Sequence, residues 1–128
     1  HIHKLDHPSG TAITIAEGII DECPRISGWE DEGILWMNAT EQEQEKMTAD
    51  IARRAKEIPS DKLPVLALRK DEVPGIHVVS WESPVDAITI THSAKSRDGF
   101  ALGAVMAAEW IASRKGIYTI DQMMDDIL

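Results

Sequence analysis

The sequence has a single cysteine in 128 residues, so no disulfide can close within the chain, and this usage fits a reducing cytoplasm. Cys23 falls inside a helical pattern and reads as a small buried hydrophobe rather than a nucleophile. No stretch approaches the roughly 18 consecutive apolar residues of a membrane span, and no basic segment leads into the apolar run of a secretory signal. Positive charge is scarce. Lys and Arg number 13 against 22 Asp and Glu, and the net charge of −9 argues against general nucleic-acid binding, which draws its affinity from a cationic surface. No Gly-x-Gly-x-x-Gly follows any strand-like run, so a dinucleotide fingerprint is missing. Internal repeats and low-complexity linkers are missing too. The first residue is His rather than Met, which predicts a piece of a longer chain.

What is present is the composition of a soluble globular protein, 43% hydrophobic and 27% charged, with length for one domain over 1–128. Charge is distributed unevenly. The first dozen residues hold His1, His3, His7 and Lys4 against Asp6 alone, while acids crowd 29–57 and 119–126. A locally cationic site on an acidic body suits a small anionic ligand.

Apolar spacing at Ile13, Ala16, Ile19 and Ile20 predicts a helix from Ser9 to Glu22, ended by Pro24. Residues 24–39 read as an irregular excursion with a short strand around Ile34–Met37. Thr40 and Glu43 form a capping-box pattern opening an amphipathic helix to about Ile58. The period then becomes two over Val65–Arg69, Gly75–Glu82 and Asp86–Ser93, with links short enough to favour antiparallel neighbours. A helix follows over Asp98–Arg114, rich in alanine as if for close packing on a sheet. Gly116 closes it, and Thr119 with Gln122 starts a short terminal helix. Strands grouped between helices predict an α+β fold: a mostly antiparallel or mixed sheet of about four strands, helices packed on one face, and no Rossmann domain.

Ser9-Gly10-Thr11 at a helix start offers free N–H groups, the positive end of the helix dipole and two hydroxyls. Gly10 lets a ligand approach without a Cβ in the way. Such a terminus can hold a carboxylate or phosphate, and Lys4, His1 and His3 could add charge and protons. Alone, Ser-Gly-Thr reads first as an ordinary N-cap, with the histidines on the surface. His-x-His-Lys also suggests an adventitious metal site, but no Cys or carboxylate partners follow at zinc spacing, and no metal is expected. Asp6 reads as structural, bonded to nearby backbone.

The complete run His1-Ile2-His3-Lys4-Leu5-Asp6-His7-Pro8-Ser9-Gly10-Thr11-Ala12 resembles the signature of the dihydrodipicolinate reductases. Gly75-Ile76-His77, Ile88–Ala94, Ser96-Arg97 and Phe100–Ala104 are similar to that family's sheet and closing helix, and Lys115–Ile120 to its tail. The resemblance implies a C-terminal domain that binds substrate and builds a homotetramer through its sheet. It also implies a separate N-terminal nucleotide-binding domain, outside this chain, for NADPH or NADH. The implied substrate is a small cyclic dicarboxylate, and the implied setting is cytoplasmic, with neither membrane nor nucleic acid as partner.

By that resemblance Lys4 is the catalytic lysine, and His1, Lys4, Ser9, Gly10 and Thr11 bind substrate, while the acid/base histidine would precede His1. Arg97 matches an arginine that either helps the cofactor close or is a surface cation. His77 and His92 are expected to be structural. Ile2 and His7 depart from the family pattern, and His7 would touch either substrate or solvent. The competing reading is a non-catalytic oligomerisation module, since Gly75–Glu82 carries apolar residues on both faces.

Overall fold

The computed structural model describes residues 3–128, so the assignment of His1 lies outside the described residues. The chain divides into two compact units, one ending at Ser93 and the other spanning Ala94–Leu128. The α+β class holds, with four helices and four strands, but the strands fall into two separate two-stranded sheets.

In the first unit, helix α1 (Gly10–Glu22) begins where the Ser9 Oγ accepts from the Ala12 N–H at 3.1 Å. It closes at Cys23, just before Pro24. Its Ala16 is buried, which lets the helix sit close on the sheet it contacts. Strand β1 occupies Gly28–Trp36, far longer than the short strand anticipated near Ile34. The acidic run Glu30-Asp31-Glu32 hides it in sequence, and a bulge between Asp31 and Gly33 breaks the alternation. Gly33 takes φ of +112° there, and its N–H bonds the Asp31 carboxylate at 2.9 Å. A Cβ at Gly33 would be strained by that conformation and would stand 3.2 Å from the Arg54 guanidinium.

Helix α2 (Glu41–Glu57) carries the chain back so that β2 (Lys62–Arg69) pairs parallel with β1. The capping box is realised in both directions. The Glu43 carboxylate accepts from the Thr40 N–H and hydroxyl at 3.0 and 2.6 Å, and the Thr40 Oγ1 accepts from the Glu43 N–H. The neighbour of β2 is therefore β1, not the next strand in sequence, because a 17-residue helix can return the chain where a turn cannot.

Strands β3 (Gly75–Glu82) and β4 (Ala87–Ala94) form a hairpin ribbon closed by the Ser83 N–H donating to the Asp86 carbonyl at 2.8 Å. Ser80 meets Thr89 and His77 stacks on His92, as an antiparallel ladder counted outward from that turn requires. One face thus carries His77, Val79, Trp81, Ile88, Ile90 and His92. The other carries Ile76 and Val78 beside Thr89 and Thr91. Ile76, Val78, Trp81, Ile88 and Ile90 are all exposed.

The second unit holds α3 (Asp98–Ile111), shorter than the sequence suggests, and α4 (Ile120–Ile127). Thr119 and Gln122 form the second capping box. Arg114 lies 4.0 Å over the Trp110 ring and pairs with Asp126 at 2.7 Å, while Met123 is buried. Phe100, Leu102, Val105 and Met106 of α3 are exposed.

Candidate functional site

The segment from His3 to Ser9 crosses the C-terminal end of β2 and delivers the chain to α1. Side chains from three strands fasten it. His7 Nδ1 stands 2.8 Å from the Asp31 carboxylate of β1. Arg69, the last residue of β2, donates to the carbonyls of Lys4 at 3.3 Å and Asp6 at 2.5 Å. From β3, His77 Nε2 reaches 3.5 Å from the Ser9 hydroxyl. His3 pairs with Glu72 at 3.0 Å. Pro8 is buried, and the His7–Pro8 peptide is cis.

These anchors fix the main chain at Lys4 and Asp6 and the side chain of Ser9, the N-cap of α1. The Lys4 ammonium is 3.0 Å from the Asp6 carboxylate. Asp6 bonds local backbone, its own N–H, as expected, and is also the partner of Lys4. The hydrogen bond from Lys4 holds the Asp6 carboxyl below its ordinary value, helped by its own backbone and by the charges of Lys4 and Arg69. Burial pushes the His77 imidazole below its ordinary value, and the neighbouring His92 and Lys4 push it the same way. His77 is therefore a neutral imidazole near neutral pH, able to accept from the Ser9 hydroxyl or donate to it according to tautomer.

At the terminus itself the Ser9 Oγ takes up the Ala12 N–H. The N–H groups of Gly10 and Thr11 belong to the first turn, which has no carbonyl of its own to receive them. Nothing lies within 4 Å of the place a Cβ on Gly10 would occupy, so the chain itself does not require glycine there. Thr11 is exposed beside it. Two hydroxyls and first-turn amides make a terminus chemically suited to a carboxylate ligand.

Of the residues singled out in sequence, Ser9, Gly10 and Thr11 share the start of α1, and Lys4 lies within electrostatic reach of His77, the partner of Ser9. Arg97 is in the second unit, directly before α3, and makes no side-chain cap bond there. His7 is engaged by Asp31 through Nδ1, while its side chain keeps 35% of its surface exposed. Three participants are not legible as such in the sequence: Arg69, Asp31 and His77, the last expected to be merely structural. A signal for Arg69 exists in the alternation of β2. Leu63, Val65 and Ala67 occupy its covered phase, and Arg69 falls on that phase as the next member.

The family model described as "Dihydrodipicolinate reductase, C-terminus" matches residues 1–124. The chain is similar to the 4-hydroxy-tetrahydrodipicolinate reductase of Christiangramia forsetii, 39% identical over 127 residues, covering 99% of this chain and 43% of that protein. The protein of the same name from Archaeoglobus fulgidus is 37% identical over 127 residues, covering 98% and 43% respectively. That of Nitratiruptor sp. is 35% identical over 131 residues, covering 97% and 43%. The chain thus spans about two fifths of the length of these relatives. No solved structure matches it.

Proposed function

Since the chain belongs to the dihydrodipicolinate reductase family, matching its C-terminal part, we propose that it is the substrate-binding and oligomerisation domain of a 4-hydroxy-tetrahydrodipicolinate reductase. The whole protein would reduce its cyclic dicarboxylate with NADPH or NADH in the diaminopimelate route to lysine, in the cytoplasm. The observation that supports this reading is the open first turn of α1 at Gly10 and Thr11, capped by Ser9 and entered from a loop that carries Lys4 and is fastened to three strands. No helix among the described residues is long and apolar enough to cross a membrane.

Two carboxylates on one small ring demand at least two cationic or donor-rich points of contact. The Lys4 ammonium supplies one, and the first-turn amides with the Ser9 and Thr11 hydroxyls supply the other. His1 is proposed as a further carboxylate contact. Lys4 Nζ also carries a proton that can pass to the ring, which makes it the catalytic residue of this reading. Asp6, 3.0 Å away, keeps the ammonium oriented until the ligand competes for it.

The β1–α2 turn of this chain does not fit a nucleotide's pyrophosphate. The turn Met37–Thr40 between parallel strand β1 and α2 has no glycine to admit a pyrophosphate, and the Glu43 carboxylate already occupies the start of α2. The match to the family's C-terminal part supports leaving the nucleotide to a separate N-terminal domain, with Arg97 as a candidate contact at closure.

The test is binding of pyridine-2,6-dicarboxylate, a stable planar analogue, by calorimetry. Binding should be measurable in the unaltered protein and weakened at least tenfold by Lys4→Ala, the loss of a charged hydrogen bond of about 1.5–3 kcal/mol. Binding independent of Lys4 in a folded sample would refute the site. In the whole protein, with its nucleotide-binding domain, the same variant should lose reductase activity mainly in kcat.

The second function proposed for the domain is self-association, toward a homotetramer, through the β3–β4 ribbon. A two-stranded ribbon is marginal in water by itself, and this one exposes Trp81, Ile88 and Ile90 on one face and Ile76 and Val78 on the other. A second copy of the same ribbon supplies the matching apolar surface.

A further inference from the structure

Among the described residues Arg69 is the only buried charged or polar side chain, 5% exposed. Burying a guanidinium is costly unless its donors are met. Among the described residues its hydrogen-bond acceptors are main-chain carbonyls, not carboxylates. The fork spans three of them: Nε donates to Lys4 at 3.3 Å, Nη2 to Asp6 at 2.5 Å, and Nη1 to Leu68 at 3.3 Å. Two of these three carbonyls belong to the residues whose side chains form the ion pair of the loop. Between them Leu5 is 91% exposed, so apolar packing does not hold this stretch in place. A planar fork presents separate nitrogens to the two carbonyls in a fixed geometry; a lysine would have to reach both from one nitrogen on a flexible stem.

We infer that Arg69 is a positioning residue whose buried guanidinium fixes the Lys4 ammonium by clamping the main chain on both sides of Leu5. Lys4 then contributes to dicarboxylate binding only while that clamp is intact. The inference rests on the reading of Lys4 as a carboxylate contact and names what that contact depends on. It also gives the burial of a charge a purpose in a chain that otherwise buries so little.

The experiment is a double-mutant cycle on the protein, with pyridine-2,6-dicarboxylate as the ligand, read by calorimetry and by NMR titration where binding enters the millimolar range. Arg69→Lys keeps the charge and removes the fork. It should weaken binding about tenfold in the parent, yet change it less than twofold when Lys4→Ala is already present. Equal losses in both backgrounds, or no loss in the parent, overturn the inference while leaving Lys4 as a ligand contact. Absence of any Lys4-dependent binding in the parent sinks the functional reading, and the inference with it. Circular dichroism and melting accompany each variant. If Arg69→Lys unfolds, Arg69→Gln is carried through the same cycle. Unfolding of both, with Lys4→Ala fully folded, would make Arg69 a folding element and overturn its positioning role.

Discussion

Replacing Gly10 by alanine separates the demands of the fold from those of a ligand. Gly10 is the first residue of α1, its φ is not left-handed, and a Cβ there would have no neighbour within 4 Å. Alanine is favoured over glycine in helix interiors by about 1 kcal/mol, and less of that gain is realised at the first turn. Gly10→Ala should therefore stabilise the protein by about 0.5 kcal/mol, or leave it unchanged, with a melting point level or up by about 2 °C. The ligand would meet the opposite effect. A methyl group beside the first-turn amides obstructs the approach of a carboxylate and costs it a charge-assisted hydrogen bond of about 1.5–3 kcal/mol. Affinity for pyridine-2,6-dicarboxylate should drop by about 10- to 100-fold. Calorimetric titration beside a melting curve reads both effects. An affinity kept within twofold in a stable variant would remove the α1 terminus from the site. A marked loss of stability would show that the glycine serves the fold after all.

Thr40→Ala removes the hydroxyl half of the α2 capping box and should cost about 1 kcal/mol in denaturant unfolding, without affecting ligand binding; no change in stability would discredit the cap. His77 is held below the ordinary imidazole value of 6.5, first by burial and then by His92 and Lys4. Above 6.5 it is neutral folded or unfolded. Below 6.5 the unfolded chain binds a proton that the folded chain resists, so stability is lost as pH falls toward the folded pKa. Melting followed from pH 7 to about pH 5 should be flatter in His77→Asn than in the parent, and identical slopes would contradict the shift. Ile90→Glu places a charge on the Trp81 and Ile88 face of the ribbon and should lower the mass seen by light scattering; an unchanged mass would exclude that face as a self-association surface.

The helices were legible because their punctuation is local. Ser9, the Thr40 and Glu43 pair, and the Thr119 and Gln122 pair all cap in three dimensions as their spacing implies. Strand β1 was obscured because Glu30, Asp31 and Glu32 interrupt the apolar pattern, and a bulge shifts its phase midway. Its parallel pairing with β2 depends on a helix between them, so short links could not reveal it. Lys4, Ser9, Gly10 and Thr11 stood out because they are neighbours in sequence. Their supports did not, since Arg69 is 65 residues from Lys4 and His77 is 68 from Ser9. Only folding brings such pairs together.

The turn Ser83–Asp86 shows how far the alignment of this site can reach. The Ser83 hydroxyl accepts from the N–H groups of Val85 and Asp86, and the turn sets which residue of β3 faces which residue of β4. His77 lies six residues along the strand, about 20 Å away at strand rise. Side chains alternate faces, so one residue inserted or lost beside this turn would invert the ribbon's faces against each other and part His77 from His92. The hairpin end works as the index mark of a ruler. A change that touches no ligand atom could misread the scale at Ser9, and a defect mapped to residues 83–86 would be a defect of alignment rather than of chemistry.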